Sequence, residues 1–173
     1  PTHMTAERIR LLNDIDFVWD HFAYIWQCRY QELVDFVEQH GHTLVPTCKT
    51  DPLWLWVQVQ RAEYRKYQRG ETSQMTQERM DLLNQIGFVW NVLDYQWQVR
   101  YAQLVRYQAK HGDTLVPQKQ RNGLGRWVSR QRFHYHKYLD GDASSHMTPE
   151  RIAQLERIGF VWDAMHATST IKE

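Results

Sequence analysis

Positively charged side chains are the residues of this sequence best placed to do chemistry, and they concentrate between Thr114 and Leu139. That stretch contains no Asp or Glu. Its cationic residues, with the polar residues beside them, are Lys119, Gln120, Arg121, Asn122, Arg126, Arg130, Arg132, His134 and Lys137. Guanidinium and ammonium groups collected in this way are suited to contacts with phosphate groups. The stretch therefore predicts a nucleic-acid-binding surface.

Four of these side chains share the spacing of one helical face. Arg126, Arg130, His134 and Lys137 fall at i, i+4, i+8 and i+11, on a face distinct from that of Trp127. A basic helix face beside a basic loop is typical of proteins that contact the nucleic acid backbone. An ordinary solvated helix surface has the same pattern, so both interpretations stay open at this point.

The net charge of the chain, +1, hides an uneven distribution. Residues 91–163 hold eleven Lys and Arg against seven Asp and Glu, a net charge of +4, and the remaining residues carry −3. The cationic character therefore belongs to the second half of the chain, where the basic stretch lies.

Other chemistry finds little support in the sequence. The motifs GxxxxGK[ST], GxSxG and HExxH are missing, and the nine His form no cluster with zinc spacing. His134 and His136 flank Tyr135, but the sequence places no carboxylate or nucleophile beside them. We therefore expect a protein that is not an enzyme, with no cofactor and no metal.

Cysteine usage and hydropathy bear on the compartment. Cys28 and Cys48 form no CxxC motif, so we expect free thiols in a reducing, intracellular environment. No apolar run approaches the ~20 residues of a membrane span, so no membrane partner is expected.

The sequence repeats itself with a period of 71 residues. Trp26 matches Trp97, and Tyr30 matches Tyr101. Further matched segments are 40–41 with 111–112, 43–46 with 114–117, 56–57 with 127–128, 60–61 with 131–132 and 75–76 with 147–148. The second copy gains one residue after Tyr135. Phe-Val-Trp occurs three times, at 17–19, 88–90 and 160–162, so a partial copy precedes the two full ones.

Each full copy predicts three helices. Trp97, Tyr101 and Leu104 at i, i+4 and i+7 mark the first helix. Gly41 and Gly112 are expected to end it. The second helix is expected to carry an inner face of Leu, Trp, Val, Gln and Tyr in each copy: Leu53, Trp56, Val57, Gln60 and Tyr64, and Leu124, Trp127, Val128, Gln131 and Tyr135.

Caps and loop residues set the remaining boundaries. We expect Asp51 and Asn122 to cap the second helices, and Val45 and Val116 to fill the core before them. The third helices are expected to start at Thr5, Thr76 and Thr148 and to bury inward-facing pairs. These pairs are Leu12 and Ile15, Leu83 and Ile86, and Leu155 and Ile158, each followed by Phe-Val-Trp returning to the core.

The predicted fold is therefore all-α: two tandem three-helix bundles preceded by an extra helix, with about seven helices. The expected domains are a partial repeat at 1–19, repeat 1 at 20–90, repeat 2 at 91–163 and a flexible tail at 164–173. A chain that starts on a third helix is also what a cut from a longer array would give.

The two copies differ on the outer face of the second helix. Positions 55, 59 and 63 correspond to 126, 130 and 134 and hold Leu55, Val59 and Glu63, with Trp54 beside them. An apolar stripe of this kind usually marks an interface, which we expect to dock on the front helix, on the second unit or on a partner chain. A secondary basic set remains in this copy: Lys49, Arg61, Arg65, Lys66 and Arg69.

The order W-x3-Y-x2-L, HG-x-TLVP, LG-x-WV-x2-QR and MT-x-ER-x6-IGFVW resembles the helicase-associated domain. This repeat occurs in several copies beside bacterial helicase cores and in many algal proteins. The resemblance covers residues 4–163, and the first copy departs from it at Trp54 and Leu55, since the family prefers Gly at position 54. The resemblance implies nucleic-acid binding within a larger helicase-type or multidomain protein.

Taken together, we expect a non-catalytic module that binds nucleic acid, DNA rather than RNA, through the second helix of repeat 2 and the loop before it. The alternative is a protein–protein interaction repeat that uses the apolar stripe of repeat 1.

Overall fold

A computed structural model describes residues 4–119 and 123–163, which form helices joined by turns and loops, without a β-strand in those ranges. The chain divides between Val92 and Leu93 into two compact units, here called unit 1 and unit 2. The described helices are α1 Ala6–Asn13, α2 His21–His40, α3 Pro52–Gln68, α4 Gln77–Gln85, α5 Val92–His111, α6 Leu124–Leu139 and α7 Pro149–Arg157. The predicted all-α fold is confirmed, with seven helices in the described ranges.

Each unit is built around the first tryptophan of its repeat. In unit 1 the indole of Trp26 stacks on Tyr30, with ring centroids 5.4 Å apart, and its Nε1 donates to Oε1 of Gln60 at 3.0 Å. The indole of Trp97 makes the same hydrogen bond to Gln131 in unit 2, at 2.9 Å. Because a buried N–H without an acceptor is costly, the inward-facing Gln of the second helix is part of the core design.

The two cores contain equivalent residues. The buried apolar residues of unit 1 are Trp26, Tyr30, Leu33, Val57, Met75, Met80, Leu83 and Phe88. Those of unit 2 are Trp97, Leu104, Val116, Leu124, Val128, Met147, Leu155 and Phe160. Val116 is buried as predicted, while Val45 is half-buried and packs against the core of unit 1. Three short helices gain stability by pooling their apolar faces in this way.

Most helix boundaries fall where the capping residues predict them. The side chains of Thr5, Thr76 and Thr148 each accept from the backbone N–H three residues later. Gly41, with φ of 72°, ends α2 in the left-handed conformation that favours glycine.

The start of α6 is an exception. Its N-cap is Gly123, which has no side chain to offer, so the prediction that Asn122 caps this helix is wrong. Asn122 itself lies outside the described residues.

The front helix α1 also differs from the prediction. It buries none of its residues, and Ile15 and Trp19 are 71% and 51% exposed. The expected burial of the inward pair and of the first Phe-Val-Trp segment is therefore wrong for this copy. The reason is that α4 already occupies the surface of α2 and α3 to which a third helix of this repeat binds, as the complete burial of Leu83 shows.

Candidate nucleic-acid interface

Arg126 and Arg130 lie on the solvent side of α6, one turn apart. Both are exposed, whereas Leu124, Val128 and Gln131 of the same helix are buried in unit 2. Within residues 4–119 and 123–163, neither guanidinium forms an ion pair with an acidic side chain. The two charges are thus available to an external anion.

The backbone of Pro117 and Gln118 packs closely against α6 at Gly125. This close approach is possible because Gly125 has no side chain. A Cβ there would come within 2.7 Å of the carbonyl carbon of Pro117 and 2.8 Å of Cα of Gln118. Nε2 of Gln118 also donates to Oγ of Ser129 at 3.3 Å. Lys119, the next residue after Gln118, is exposed. Gln120, Arg121 and Asn122 follow Lys119 and lie outside the described residues.

Lys137, at the far end of the predicted stripe, is bound within unit 2. Its Nζ lies 2.9 Å from Oδ2 of Asp142 and donates to Oγ of Ser144 at 2.6 Å. The hydrogen bond from Lys137, followed by that from the backbone N–H of Ser144 to Oδ1 of Asp142 at 2.8 Å, holds the pKa of the Asp142 carboxyl well below its usual range. Asp142 therefore offsets the charge of Lys137, and this end of the stripe is weaker than the sequence predicts.

His134 serves the turn before α7. Its Nδ1 accepts from the backbone N–H of His146 at 3.4 Å, and its carbonyl accepts from Oγ of Ser145 at 2.7 Å. Burial lowers the pKa of His134, and the neighbouring basic groups of His146, Lys137, Arg130 and Arg151 lower it further. The imidazole is therefore neutral near pH 7 and adds no charge to the stripe.

Unit 1 builds the same turn with a carboxylate. Oε2 of Glu63 accepts from the backbone N–H of Gln74 at 2.7 Å, and the Glu63 carbonyl accepts from Oγ of Ser73 at 2.8 Å. Nζ of Lys66 donates to Oε1 of Glu63 at 2.6 Å, and these bonds lower the pKa of Glu63 to about 2. Position 63/134 thus has one structural task in both repeats, which the sequence reading did not recognise.

This carboxylate gives a pH prediction. Because the pKa of Glu63 is lower in the folded chain than in the unfolded one, its stabilisation is complete above about pH 5 and is lost between pH 5 and pH 2. Urea unfolding across this range should show unit 1 losing roughly 2 kcal/mol more in the native chain than in Glu63→Gln. The same exchange at the exposed Glu38 is the control. Equal pH profiles for Glu63→Gln and the native chain would contradict the assignment.

Arg132 and Arg61, which the sequence assigned to the basic surfaces, bind inside their units instead. Nε of Arg132 donates to the carbonyl of Val161 at 2.8 Å, and Nε of Arg61 to that of Val89 at 2.9 Å. Each guanidinium lies over the Phe of the Phe-Val-Trp segment, 5.4 and 5.3 Å from the ring centroid. Burial lowers the pKa of both groups. They fasten that segment to the second helix.

The rest of the secondary basic set is partly paired. Lys66 is bound to Glu63, and Nε of Arg69 lies 2.6 Å from Oε1 of Glu71. Lys49 and Arg65 are exposed. Unit 1 therefore offers a weaker cationic surface than α6 does.

The apolar stripe of α3 is open to solvent. Leu55 and Val59 are 47% and 53% exposed, and Trp54 is half-buried. The front helix α1 does not cover them, so that version of the docking hypothesis is wrong.

The described ranges offer neither a metal site nor a membrane-spanning helix. No group of three or more His, Cys, Asp or Glu there could hold a metal ion. Among the described helices, none combines the length and the apolar character needed to cross a bilayer.

The class of protein follows from these features: an all-α tandem repeat whose units share a tryptophan-anchored core and differ on the outer face of the second helix. The chain belongs to the helicase associated domain family, whose model matches residues 23–91 and 94–163. Comparisons with curated proteins and with solved structures gave no match.

Proposed function

We propose that unit 2 binds double-stranded nucleic acid, DNA in preference to RNA, through an open cationic surface formed by Lys119, Arg126 and Arg130. The observation that carries the proposal is the pair of exposed guanidiniums one turn apart on α6, in a stretch without acidic residues. Arg121 and Asn122, which follow Lys119 closely in the sequence, are included in the proposed surface. Arg132, His134 and Lys137 leave it, because they are engaged in unit 2.

A small cationic surface can bind nucleic acid when its contacts are made with phosphate groups. Each Lys or Arg that neutralises a phosphate releases condensed counterions, which makes binding favourable and salt-dependent. Two guanidiniums separated by one helical turn can contact neighbouring phosphates, or one of them can reach a base edge.

The preference for duplex DNA rests on the shape of α6. α6 has 16 residues and an exposed outer face, and a helix presented in this way fits the major groove of B-DNA, whereas the deep, narrow major groove of A-form RNA does not admit one. The name of the family links the domain to helicases, which act on nucleic acids, and this is in line with the proposal.

A salt titration tests the proposal. With Lys119, Arg121, Arg126 and Arg130 on phosphates, the slope of log affinity against log salt should be about −3 to −4 for a fluorescent DNA duplex. An RNA duplex of the same sequence should bind more weakly. A slope near zero, or tighter binding of the RNA duplex, would contradict the proposed mode.

A protein-interaction function is the second candidate, and the exposure of Leu55 and Val59 favours it. If this stripe is an interface, Leu55→Lys/Val59→Lys should reduce self-association in sedimentation velocity, or nuclease-resistant capture of a protein partner. Phe22→Lys is the matched control, since Phe22 is an exposed apolar residue on another helix. Unchanged assembly and solubility in the double variant would remove this candidate.

A further inference from the structure

Unit 1 contains a groove of about 360 Å³ between α2 and the start of α4. Its lining includes Ala23, Trp26, Gln74 and Arg79. The guanidinium of Arg79 lies over the indole of Trp26, 5.1 Å from the ring, and its Nη1 donates to the carbonyl of Gln74 at 2.8 Å. The groove thus presents a cation that is fixed in position by two contacts.

Unit 2 contains the same arrangement with one addition. Arg151 lies over Trp97 at 5.2 Å, and its Nη1 donates to the carbonyl of His146 at 2.7 Å. Its Nη2 donates to Oδ1 of Asp94 at 2.5 Å. At the repeat offset of 71, the position of Asp94 is occupied in unit 1 by Ala23.

The two units therefore differ by one carboxylate. The pair in unit 2 shows that an arginine over this tryptophan can donate to a carboxylate that the first helix of the repeat presents. In unit 1 the methyl group of Ala23 leaves that place open, and within the described ranges no acidic side chain pairs with Arg79. The neighbouring Glu78 also lines the groove without forming such a pair.

We propose that this groove binds a carboxylate side chain, Asp or Glu, presented by a partner polypeptide. The carboxylate would take the place that Asp94 fills in unit 2, with Arg79 as the donor. Trp26 and Leu82 in the lining supply apolar contact for the methylene groups of the ligand.

Charge favours a carboxylate over a phosphate backbone at this place. Residues 1–90 hold twelve Asp and Glu against nine Lys and Arg, and Glu78 lies at the groove itself. A polyanion would meet this repulsion along its length, whereas a single carboxylate fits between Arg79 and the wall at Ala23.

The test is an NMR titration of the full chain, following the Nε–Hε signal of Arg79 and the indole N–H of Trp26. The probe is a blocked tripeptide with one central Glu, and the same tripeptide with Gln is its neutral control. A single charge-assisted pair predicts a dissociation constant on the order of 10 mM. Both signals should shift in a saturable way with the Glu peptide only.

Two variants make the result decisive. Ala23→Asp adds the carboxylate that unit 2 already has, in the first turn of α2 where an acidic residue is favourable, and should abolish the response. Asp94→Ala should open the equivalent place in unit 2 and create the same response at Arg151. Duplex binding by unit 2 should not change in Ala23→Asp. The carboxylate site of unit 1 and the nucleic-acid surface of unit 2 are therefore tested independently of each other.

Several outcomes would overturn the proposal. These are the lack of a saturable shift, an equal response to the Gln peptide, or a response that survives Ala23→Asp. Equal binding of free acetate would show that the site takes a small carboxylate instead of a partner's side chain. Tighter binding of inorganic phosphate would assign the site to a phosphate group.

Discussion

Arg126→Glu/Arg130→Glu is expected to weaken binding of duplex DNA by roughly 10- to 100-fold at moderate salt. The double change removes two phosphate contacts and places two negative charges against the backbone. Because each contact contributes about 0.9 to the salt slope, the slope should fall by about 2. The fold should survive, since both side chains are exposed and make no described ion pair. Fluorescence anisotropy at two salt concentrations measures both effects.

A matched control separates a local surface from net charge. Arg106→Glu/Lys110→Glu changes the charge by the same amount, at the same i, i+4 spacing, on exposed positions of α5 in the same unit. This control should lose far less affinity than the α6 variant. Equal losses would mean that unit 2 attracts DNA by its overall charge, and the assignment to α6 would then be wrong.

Gly125→Ala is expected to destabilise unit 2 by about 2 kcal/mol, although alanine is the better helix former. The added Cβ would collide first with the carbonyl oxygen of Pro117, and would also lie 2.7 Å from the carbonyl carbon of Pro117 and 2.8 Å from Cα of Gln118. Backbone atoms cannot rotate away as a side chain can, so the loop must move. Affinity for duplex should fall as well, because Lys119 moves with this loop.

The change in the free energy of unfolding is measured by urea denaturation, and hydrogen exchange followed separately in each unit assigns the change to unit 2. Unit 1 serves as an internal reference, since its exchange should not change. Ser129→Ala, one turn further along α6, is the control and should cost less than about 1 kcal/mol, because it removes only exposed or half-buried hydrogen bonds. A native-like stability of Gly125→Ala would show that the loop position is not set by this contact.

The scaffold could be predicted from the sequence because the repeat states it twice. Trp26 and Trp97, the glycine stops and the threonine caps recur at an offset of 71 residues, or of 72 after the inserted residue, and each has a local physical reason. A chance pattern would not satisfy both copies. The prediction was wrong for the front copy, where the apolar residues match but α4 already occupies the surface of α2 and α3 that buries a third helix.

The site was harder to predict because helical spacing does not distinguish a free cation from an engaged one. Lys137 is offset by Asp142, five residues on, and His134 accepts a hydrogen bond from a later turn; neither partner lies on the stripe. One signal was available for Arg61 and Arg132. Each directly follows the buried Gln of its copy, so the arginine is the same in the two repeats. A residue shared by the two copies points to a scaffold role, because the outer surfaces of the copies differ.

The shared turn before the third helix has a consequence for acidification. In unit 1 its backbone N–H is bound by a carboxylate that stays ionised down to about pH 2. In unit 2 the acceptor is the imidazole of His134, which loses this ability once Nδ1 is protonated. Because the folded-state pKa of His134 lies below its ordinary value, that stabilisation is complete above about pH 6.5 and is lost as the pH falls. Mild acid is therefore expected to loosen this turn in unit 2, while unit 1 keeps the same turn intact.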